Sequence, residues 1–531
     1  MTTPKRILPV GRRAVLAEYS SLSEAMAAFV GLPTPRPEGI IDVVPAARTI
    51  LVSFAPHAAA ADIIQWLHSA GTHAASEIQL RPIDIDVVYD GDDLDEVAMT
   101  LGLSPEEVVG IHTSLDYRVA FTGFAPGFAY LVAPDKRLHV PRRATPRPRV
   151  PAGAVGLAGE FSGVYPRATP GGWQLLGHTN AALWDSQREQ PALLHPGDAV
   201  RFRAVRPSLT SASAPAIAAP SAPASAPTTP VPTAQPYHEV VGVTVNSPGL
   251  QLLIQDLGRP GHAAEGVTAC GAADRAAHRA ANEAVGNPPT AATLELAIGG
   301  AELAFAVDAV IALTGAHAPA TIVTGDTEID VVPGAPTAIA AGSTLSIGYA
   351  TRGVRAYLAV RGGWEQPSTL RSRATDTLSG LGPEPLRAGS RLTISATQPR
   401  TAVTVVVPEP TPLASPDDTA TIDVTFGPRD DWFTDEARHT LTAAAFTVSA
   451  TSDRVGVRLD GTPLDREKTD ELPSEGVVRG AIQVPANGLP VIFLADHPVT
   501  GGYPVIAVVV SEHLDRIAQL PAGTTVRFRV R

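Results

Sequence analysis

The chain is poor in several of the residues and patterns that usually announce a function. Cys270 is its only cysteine among 531 residues, which excludes an intrachain disulfide and a multi-cysteine zinc site. Lysine is nearly as scarce. Lys5, Lys136 and Lys468 are the full set, so any chemistry that needs a lysine has few candidates. Positive charge is in deficit, and a formal net charge of −12 argues against a general nucleic-acid or anionic-membrane binder. No apolar run reaches the roughly 18 residues of a membrane span. The opening "MTTPKRILPVGRR" lacks the apolar core of a signal peptide, so the expectation is a cytoplasmic protein without a membrane partner. Also missing are the G-x-x-x-x-G-K-[ST] phosphate loop, the G-x-S-x-G elbow and the H-E-x-x-H helix. None of the lysines sits in an Ala-Met-Lys-Met biotin-attachment context. A nucleotide bound here would not use a P-loop, and a biotin carrier would be a different chain.

What remains is ordinary globular composition, 44% apolar and 18% charged, on a chain long enough for about two to four domains. One boundary is plain. The stretch 207–236, "PSLTSASAPAIAAPSAPASAPTTPVPTAQP", is almost entirely Pro, Ala, Ser and Thr. It has too few bulky side chains to offset ordering entropy, so it is expected to be a disordered tether between two folded parts.

Ahead of the tether, residues 1–95 alternate strand and helix signals. "TILVSF" is a strand run, Ser21 and Glu24 form a capping box, and "ADIIQWLHSAG" is an amphipathic helix expected to end at Gly71. Residues 96–206 form a second unit. It includes a helix capped by Ser104, with Pro105 at its first position and Glu107 three residues on. From Leu115 glycine and proline interrupt short apolar runs, as in all-β structure. Behind the tether, 237–400 and 401–531 have the same β character, apart from a helix in "AADRAAHRAANEAVGN" closed by Gly286 and Asn287. A weak repeat links the units. "LHPGDAVRF" (194–202), "LRAGSRLTI" (386–394) and "LPAGTTVRF" (520–528) each place a leucine, a glycine turn and an alternating strand in order. They are expected to be the closing strands of three related β-domains. The fold class is therefore mostly β with a small N-terminal α/β lobe.

The segment most suggestive of chemistry is "FTGFAPGFAYLVAPDKRLHVPRRATPRPRVPAG" (121–153). Its prolines forbid an ordinary helix, so Arg142, Arg143, Arg147 and Arg149 should project from a stiff, extended rail. Such a rail suits a carboxylate or phosphate clamp; a solvated edge strand is the competing reading. In "SGVYPRATPGGWQLLGHT", Gly171 and Gly172 would let backbone approach a ligand, with Trp173 as a wall or as packing for a tight turn. Behind the tether, Gln255, Asp256 and Arg259 share a glycine-rich loop. Asp453, Arg454 and Arg458 form a second cluster. Gln483, Asp496 and the Gly501, Gly502, Tyr503 turn form a third. Either a loop-lined groove or surface ion pairs would account for them.

These residues resemble a known family. "GFAPGFAYL", "RLHVPRRATPRPRVPAGAVGLAG" and "GVYPRATPGGWQLLGHT" are similar to the B-type subunit of the bacterial ATP-dependent 5-oxoprolinase, which overlaps the Kip inhibitor and the first allophanate-hydrolase-like subunit. "QDLGRPGHAAEGVTACGAADRAAHRAANEAVGN", "YLAVRGGW", "SDRVGVRL" and "IQVPANGLPVIFLADHPVTGGYP" are similar to the C-type subunit of the same enzyme, related to the Kip antagonist. The same pair of domains forms the carboxyltransferase portion of urea carboxylase. The resemblance implies cyclophilin-like β-barrels: one after the N-terminal lobe and two behind the tether. It implies ATP and Mg²⁺ as cosubstrate and cofactor, and a small-molecule amide as substrate. The partner it implies is the A-type component of 5-oxoprolinase, a LamB/YcsF-type protein, and a homo-oligomer stays open. The implied reaction phosphorylates the lactam oxygen of 5-oxoproline for ring opening to glutamate. Site roles follow in the same way. His112, in the family's His-x-x-x-x-Tyr pattern with Tyr117, is a polar contact or proton relay, or else a packed helix-end histidine. Asp453 and Asp496 are the other catalytic candidates, and the arginine rail and glycine loops hold substrate and phosphate. Departures at His178, at Cys270 to Asp274, and at Pro498 and Val499 bear on the substrate more than on the fold. Two other functions stay open: a carboxyltransferase component served by a separate biotin protein, and a regulatory module that docks on a sensor histidine kinase.

Overall fold

The computed structural model describes residues 3–70, 82–206, 241–395, 401–406 and 410–531; the tether at 207–236 and the expected helix end at Gly71 lie outside the described residues. Strands Arg6–Pro9, Ala14–Glu18, Thr49–Phe54 and Ile40–Pro45 lie side by side, in that order, as an antiparallel sheet. Side chains alternate across a strand, and here both faces are covered. Val15, Ala17, Ile50 and Val52 pack on helices Leu22–Val30 and Ala60–His68. Ala14, Leu16, Val44 and Leu51 pack on Val477, Phe493 and Val505, more than 400 residues away in sequence. Burial on both faces explains why the centre of "TILVSF", Ile50–Val52, is continuously apolar rather than alternating.

The next unit is a seven-stranded sheet. Its order is Gln174–His178, Ala154–Ala158, Phe161–Val164, Ala129–Val132, Tyr117–Thr122, Ala199–Ala204 and Ile83–Val87. Its edges meet, because Val88 and His178 exchange both backbone hydrogen bonds at 2.9 Å. Gly177 is required at this seam, since a Cβ there would lie 2.1 Å from the Val88 carbonyl oxygen. Helix Pro105–Ser114 packs outside, and its capping box forms as expected: Ser104 Oγ accepts from Glu107 N–H, and Glu107 Oε2 accepts from Ser104 N–H.

The second β-unit pairs a seven-stranded sheet with a five-stranded one around a shared core that includes Val243, Leu303, Ile254 and Leu358. The third is a closed seven-stranded barrel running from Thr419–Phe426 to Thr525–Val530. The chain is thus mostly β and built on closed or nearly closed barrels.

In all three copies of the sequence repeat the turn glycine has positive φ: Gly197 at 97°, Gly389 at 85° and Gly523 at 91°. Two copies end in the same way. Ala199–Ala204 runs parallel to Ile83–Val87, and Thr525–Val530 runs parallel to Thr419–Phe426. The middle copy differs, since Arg391–Ile394 pairs antiparallel with Val241–Pro248. The shared motif encodes a turn and a strand; the partner strand decides the direction.

The parts on either side of residues 207–236 pack directly. Thr122 Oγ1 donates to Ala264 O at 2.5 Å, Gly127 N–H to Glu265 O at 3.1 Å, and the Arg167 guanidinium to Leu378 O and Ser379 O.

Candidate active cleft between the halves

A cavity of about 950 Å³ opens where the first barrel, the N-terminal lobe and the third barrel meet. The first barrel contributes Phe124, Tyr130, Arg142 and Phe161. The third contributes Gln483, Phe493 and the turn from Thr500 to Tyr503, and the second sends in Leu378. The close approach depends on Gly123, where a Cβ would lie 2.3 Å from Thr500 Oγ1. Phe124 then takes φ of 65°, unusual for a residue with a side chain and costing about 1–3 kcal/mol. Edge-to-face packing on Phe128, with centroids 5.2 Å apart, supports it, and its ring stays 42% exposed in the cleft.

Arg142 is the only cation among the described lining residues of this cleft. It faces Glu471 across the mouth at 3.7 Å, and both side chains are exposed. On the opposite wall Gln483 Nε2 donates to Tyr503 O at 3.0 Å. Gly501 leaves that amide accessible, because a Cβ there would lie 2.7 Å from it. Burial pushes the Tyr130 phenol up to about 12, so it serves as a hydrogen-bond donor rather than a base near neutrality. Aromatic walls, one guanidinium, one side-chain amide and a glycine turn suit a small polar ring that carries a carboxylate.

Beneath the cleft lies a buried ionic network joining the second and third β-units. Arg454 donates to both oxygens of Asp496, at 2.9 and 3.0 Å, and to Glu295. Glu295 also accepts from Tyr357 OH at 2.8 Å and Ala273 N–H at 3.0 Å. Burial pushes the Asp496 carboxyl up, but Arg454 and its hydrogen bonds outweigh this and hold it below the usual carboxylate range. Asp496 also accepts from Thr377 N–H and Oγ1 and from the Cys270 thiol at 3.0 Å. The segment 374–382 is a junction for all three β-units. Gln255 Nε2 donates to Thr375 O at 2.8 Å, Arg259 donates to Ala374 O, and Arg167 reaches Leu378 O and Ser379 O from the first barrel.

Cys270, Asp376 and Asp496 are the one trio of metal-ligand type found among the described residues. It does not fit Mg²⁺, which demands oxygen ligands and keeps several waters. Both Asp496 oxygens are taken by Arg454, and burial, then Asp496, pushes the Cys270 thiol well above its ordinary range. No step is assigned to a metal held there.

The structure divides the sequence candidates. Arg142, Gln483, Gly501, Gly502 and Tyr503 share the cleft. Gln255, Arg259, Arg454 and Asp496 are buried beneath it, so Asp496 is committed to Arg454 rather than free to act as an acid or base. The arginine rail is not a single clamp. Arg143 and Arg147 both turn to Asp93, at 2.6 and 2.8 Å, a carboxylate almost fully buried against Leu175 N–H. Gly171, Gly172 and Trp173 lie beside that pairing rather than at the cleft. Trp173 packs edge-on against Phe128 and Tyr130, and Gly171 makes room for the Tyr165 hydroxyl.

His112 takes the packed position near the helix end. It is fully buried between Tyr89 OH (2.7 Å) and Ser162 Oγ (2.9 Å) and stacked on Phe202, and burial pushes its pKa down to about 3. Asp453 is an exposed turn former, accepting from Val455 and Gly456 N–H, and it borders a separate cavity of about 320 Å³. Arg458 is exposed, and its N–H closes the same turn onto Ser452.

Sequence reasoning missed Phe124, Leu378, Glu471, Glu295 and Arg167. Phe124 lay within a quoted segment, but its positive φ has no sequence signal. Leu378 and Glu295 read as ordinary turn and strand residues until the chain folds.

The family model for "Carboxyltransferase domain, subdomain A and B" matches residues 265–530, half of the chain, and "Carboxyltransferase domain, subdomain C and D" matches 5–194. The chain belongs to the carboxyltransferase-domain family. Within that family its front part is 48% identical over 168 residues to the B-type subunit of 5-oxoprolinase from Escherichia coli O157:H7, covering 31% of this chain and 77% of that protein. Its rear part is 32% identical over 283 residues to the C-type subunit of 5-oxoprolinase from E. coli K12, covering 53% of this chain and 88% of that one. The crystal structure of TTHA0988 matches the whole arrangement, with a TM-score of 0.81, 34% identity and coverage of 97% of this chain and 99% of that one. Urea amidolyase of Saccharomyces cerevisiae is 31% identical over 312 residues, 55% of this chain but 17% of that protein. The carboxyltransferase-family chain thus joins B-like and C-like parts in one polypeptide. No helix among its described residues is long and apolar enough to cross a membrane.

Proposed function

We propose that this chain is the fused B and C component of an ATP-dependent 5-oxoprolinase. On this reading it works with a separate LamB/YcsF-type protein, and Mg²⁺ arrives with the nucleotide. The observation that carries the reading is that one cleft takes Arg142 from the B-like part and Gln483 with Gly501 from the C-like part.

In this cleft the substrate carboxylate replaces Glu471 as the partner of Arg142, and the ring lies against Phe124 and Phe161. Gln483 and the Gly501–Gly502 backbone face the lactam. An unstrained lactam resists water. Transfer of the γ-phosphoryl group to its oxygen breaks the bond to the β-phosphate oxygen, releases ADP and turns the amide oxygen into a leaving group. Water then adds at the activated carbon, the C–N bond opens to give an acyl phosphate, and a second water cleaves that to glutamate and phosphate. The aromatic walls limit water around the activated intermediate until the LamB/YcsF-type protein acts.

The test mixes the intact chain with 5-oxoproline, Mg-ATP and a LamB/YcsF-type protein. Glutamate and phosphate should appear in equal amounts, and Arg142→Ala should suppress both. Carboxyl transfer from a carboxybiotin carrier in place of this turnover would favour the carboxyltransferase reading, which the urea amidolyase similarity supports over 55% of this chain.

A further inference from the structure

A second, smaller cavity of about 200 Å³ lies between the N-terminal lobe and the third barrel. Only a thin wall separates it from the cleft, since Leu472 and Pro473 line both. Four cations border it, Arg6, Arg48, Arg429 and Lys468, against two carboxylates, Glu18 and Glu475. The carboxylates are already engaged. Arg429, 4% exposed, donates to Glu18 at 2.8 Å and holds Glu475 with two further bonds, and Arg6 shares Glu18 at 2.8 Å. Arg48 is exposed and has no carboxylate partner among the described residues. Among the described residues the carboxylate partner of Lys468 is the half-exposed Asp431, at 2.9 Å, which Arg6 also approaches at 3.6 Å. The Lys468 ammonium lies over the Trp432 ring, 5.8 Å from its centre. Positive charge is therefore in local surplus in a chain whose net charge is −12, and the surplus faces a cavity.

We infer that this annex binds the phosphate chain of a nucleoside triphosphate, with Arg48 and Lys468 as its phosphate ligands. The inference rests on the ATP-dependent reading above. Arg48 supplies a planar fork suited to bidentate phosphate contact and Lys468 a compact charge. The volume is below the roughly 300–1,000 Å³ of whole-ligand pockets, so it suits the polyphosphate tail while the base stays outside. Leu472 and Pro473 line both cavities, so the annex lies next to the cleft proposed for the ring. It also gives one of the chain's three lysines a role that no P-loop fills.

Isothermal titration of the intact chain with tripolyphosphate and with Mg-ATP tests this. The wild type should bind both. Arg48→Ala and Lys468→Ala should each weaken both by about tenfold or more with the melting temperature unchanged, and Lys468→Arg should bind nearly as the wild type does. Failure of the wild type to bind tripolyphosphate, or wild-type Mg-ATP binding by the double alanine variant, overturns the annex. Glutamate release at the wild-type rate by that double variant also overturns the annex while leaving the reaction standing. Loss of binding in the variants together with no glutamate release by the wild type supports the annex and rejects 5-oxoproline.

Discussion

Arg142 and Arg454 each face a carboxylate across a boundary between β-units, yet their surroundings give them different work. Arg142 meets Glu471 at 3.7 Å with both side chains in water, where such a pair contributes little and can be exchanged for a ligand. Arg454 is 2% exposed and bonded to both Asp496 and Glu295, so each charge depends on the others to stay buried. Charge at the cleft is available for chemistry; charge beneath it holds the barrels together.

The largest expected effect breaks the buried side of this comparison. Arg454→Ala leaves Asp496 and Glu295 without their shared cation and should cost about 3–5 kcal/mol in chemical denaturation, or prevent folding. An Arg454→Ala protein as stable as the wild type would mean that water reaches this network.

Next comes pH. Burial depresses the folded pKa of His112 from 6.5 to about 3, and those of His278 and His497 to about 4. Between those values the unfolded chain binds protons that the folded chain refuses. Their contribution is whole above about 6.5 and is lost as pH falls toward the folded values. One such proton is worth about 1.4 kcal/mol per pH unit. Melting temperature should fall steadily from pH 7 to 5, and less steeply in His112→Gln.

The Arg143→Ala, Arg147→Ala double variant comes third. It strips Asp93 of both cations and should cost about 1–3 kcal/mol, read as a lower denaturation midpoint. The smallest change in stability is expected for Arg142→Ala, about 0–1 kcal/mol. The same change should lower kcat/KM for 5-oxoproline on the order of 10²-fold, the loss expected for a carboxylate contact of about 2–3 kcal/mol. An Arg142→Ala protein that is unstable but fully active would reverse the comparison.

Much of the fold was legible. The Ser104–Glu107 capping box is a local pattern read within one turn, and it formed as written. The glycines of the threefold repeat marked three positive-φ turns. Strand direction was not legible, because the middle copy pairs antiparallel with a strand about 150 residues earlier in sequence. The arginine rail failed as a single clamp for a geometric reason. The segment 141–146 is irregular and bends at 144–145, so Arg143 and Arg147 both turn to Asp93 and Arg142 alone lines the cleft.

By itself the sequence determined what depends on neighbours along the chain. This covers the helix caps, the turn glycines, the absence of a P-loop and the family to which the two parts belong. It also set which residue types were available for chemistry, with three lysines and one cysteine. Only the tertiary structure decided which charges are free. Arg142 and Arg454 carry the same guanidinium, and nothing adjacent to either in sequence says which will be buried. That follows from packing between barrels, where Gly123 admits Thr500 and the 374–382 segment joins three units. Burial then fixes the dielectric around each charge, and so whether it serves a ligand or the fold.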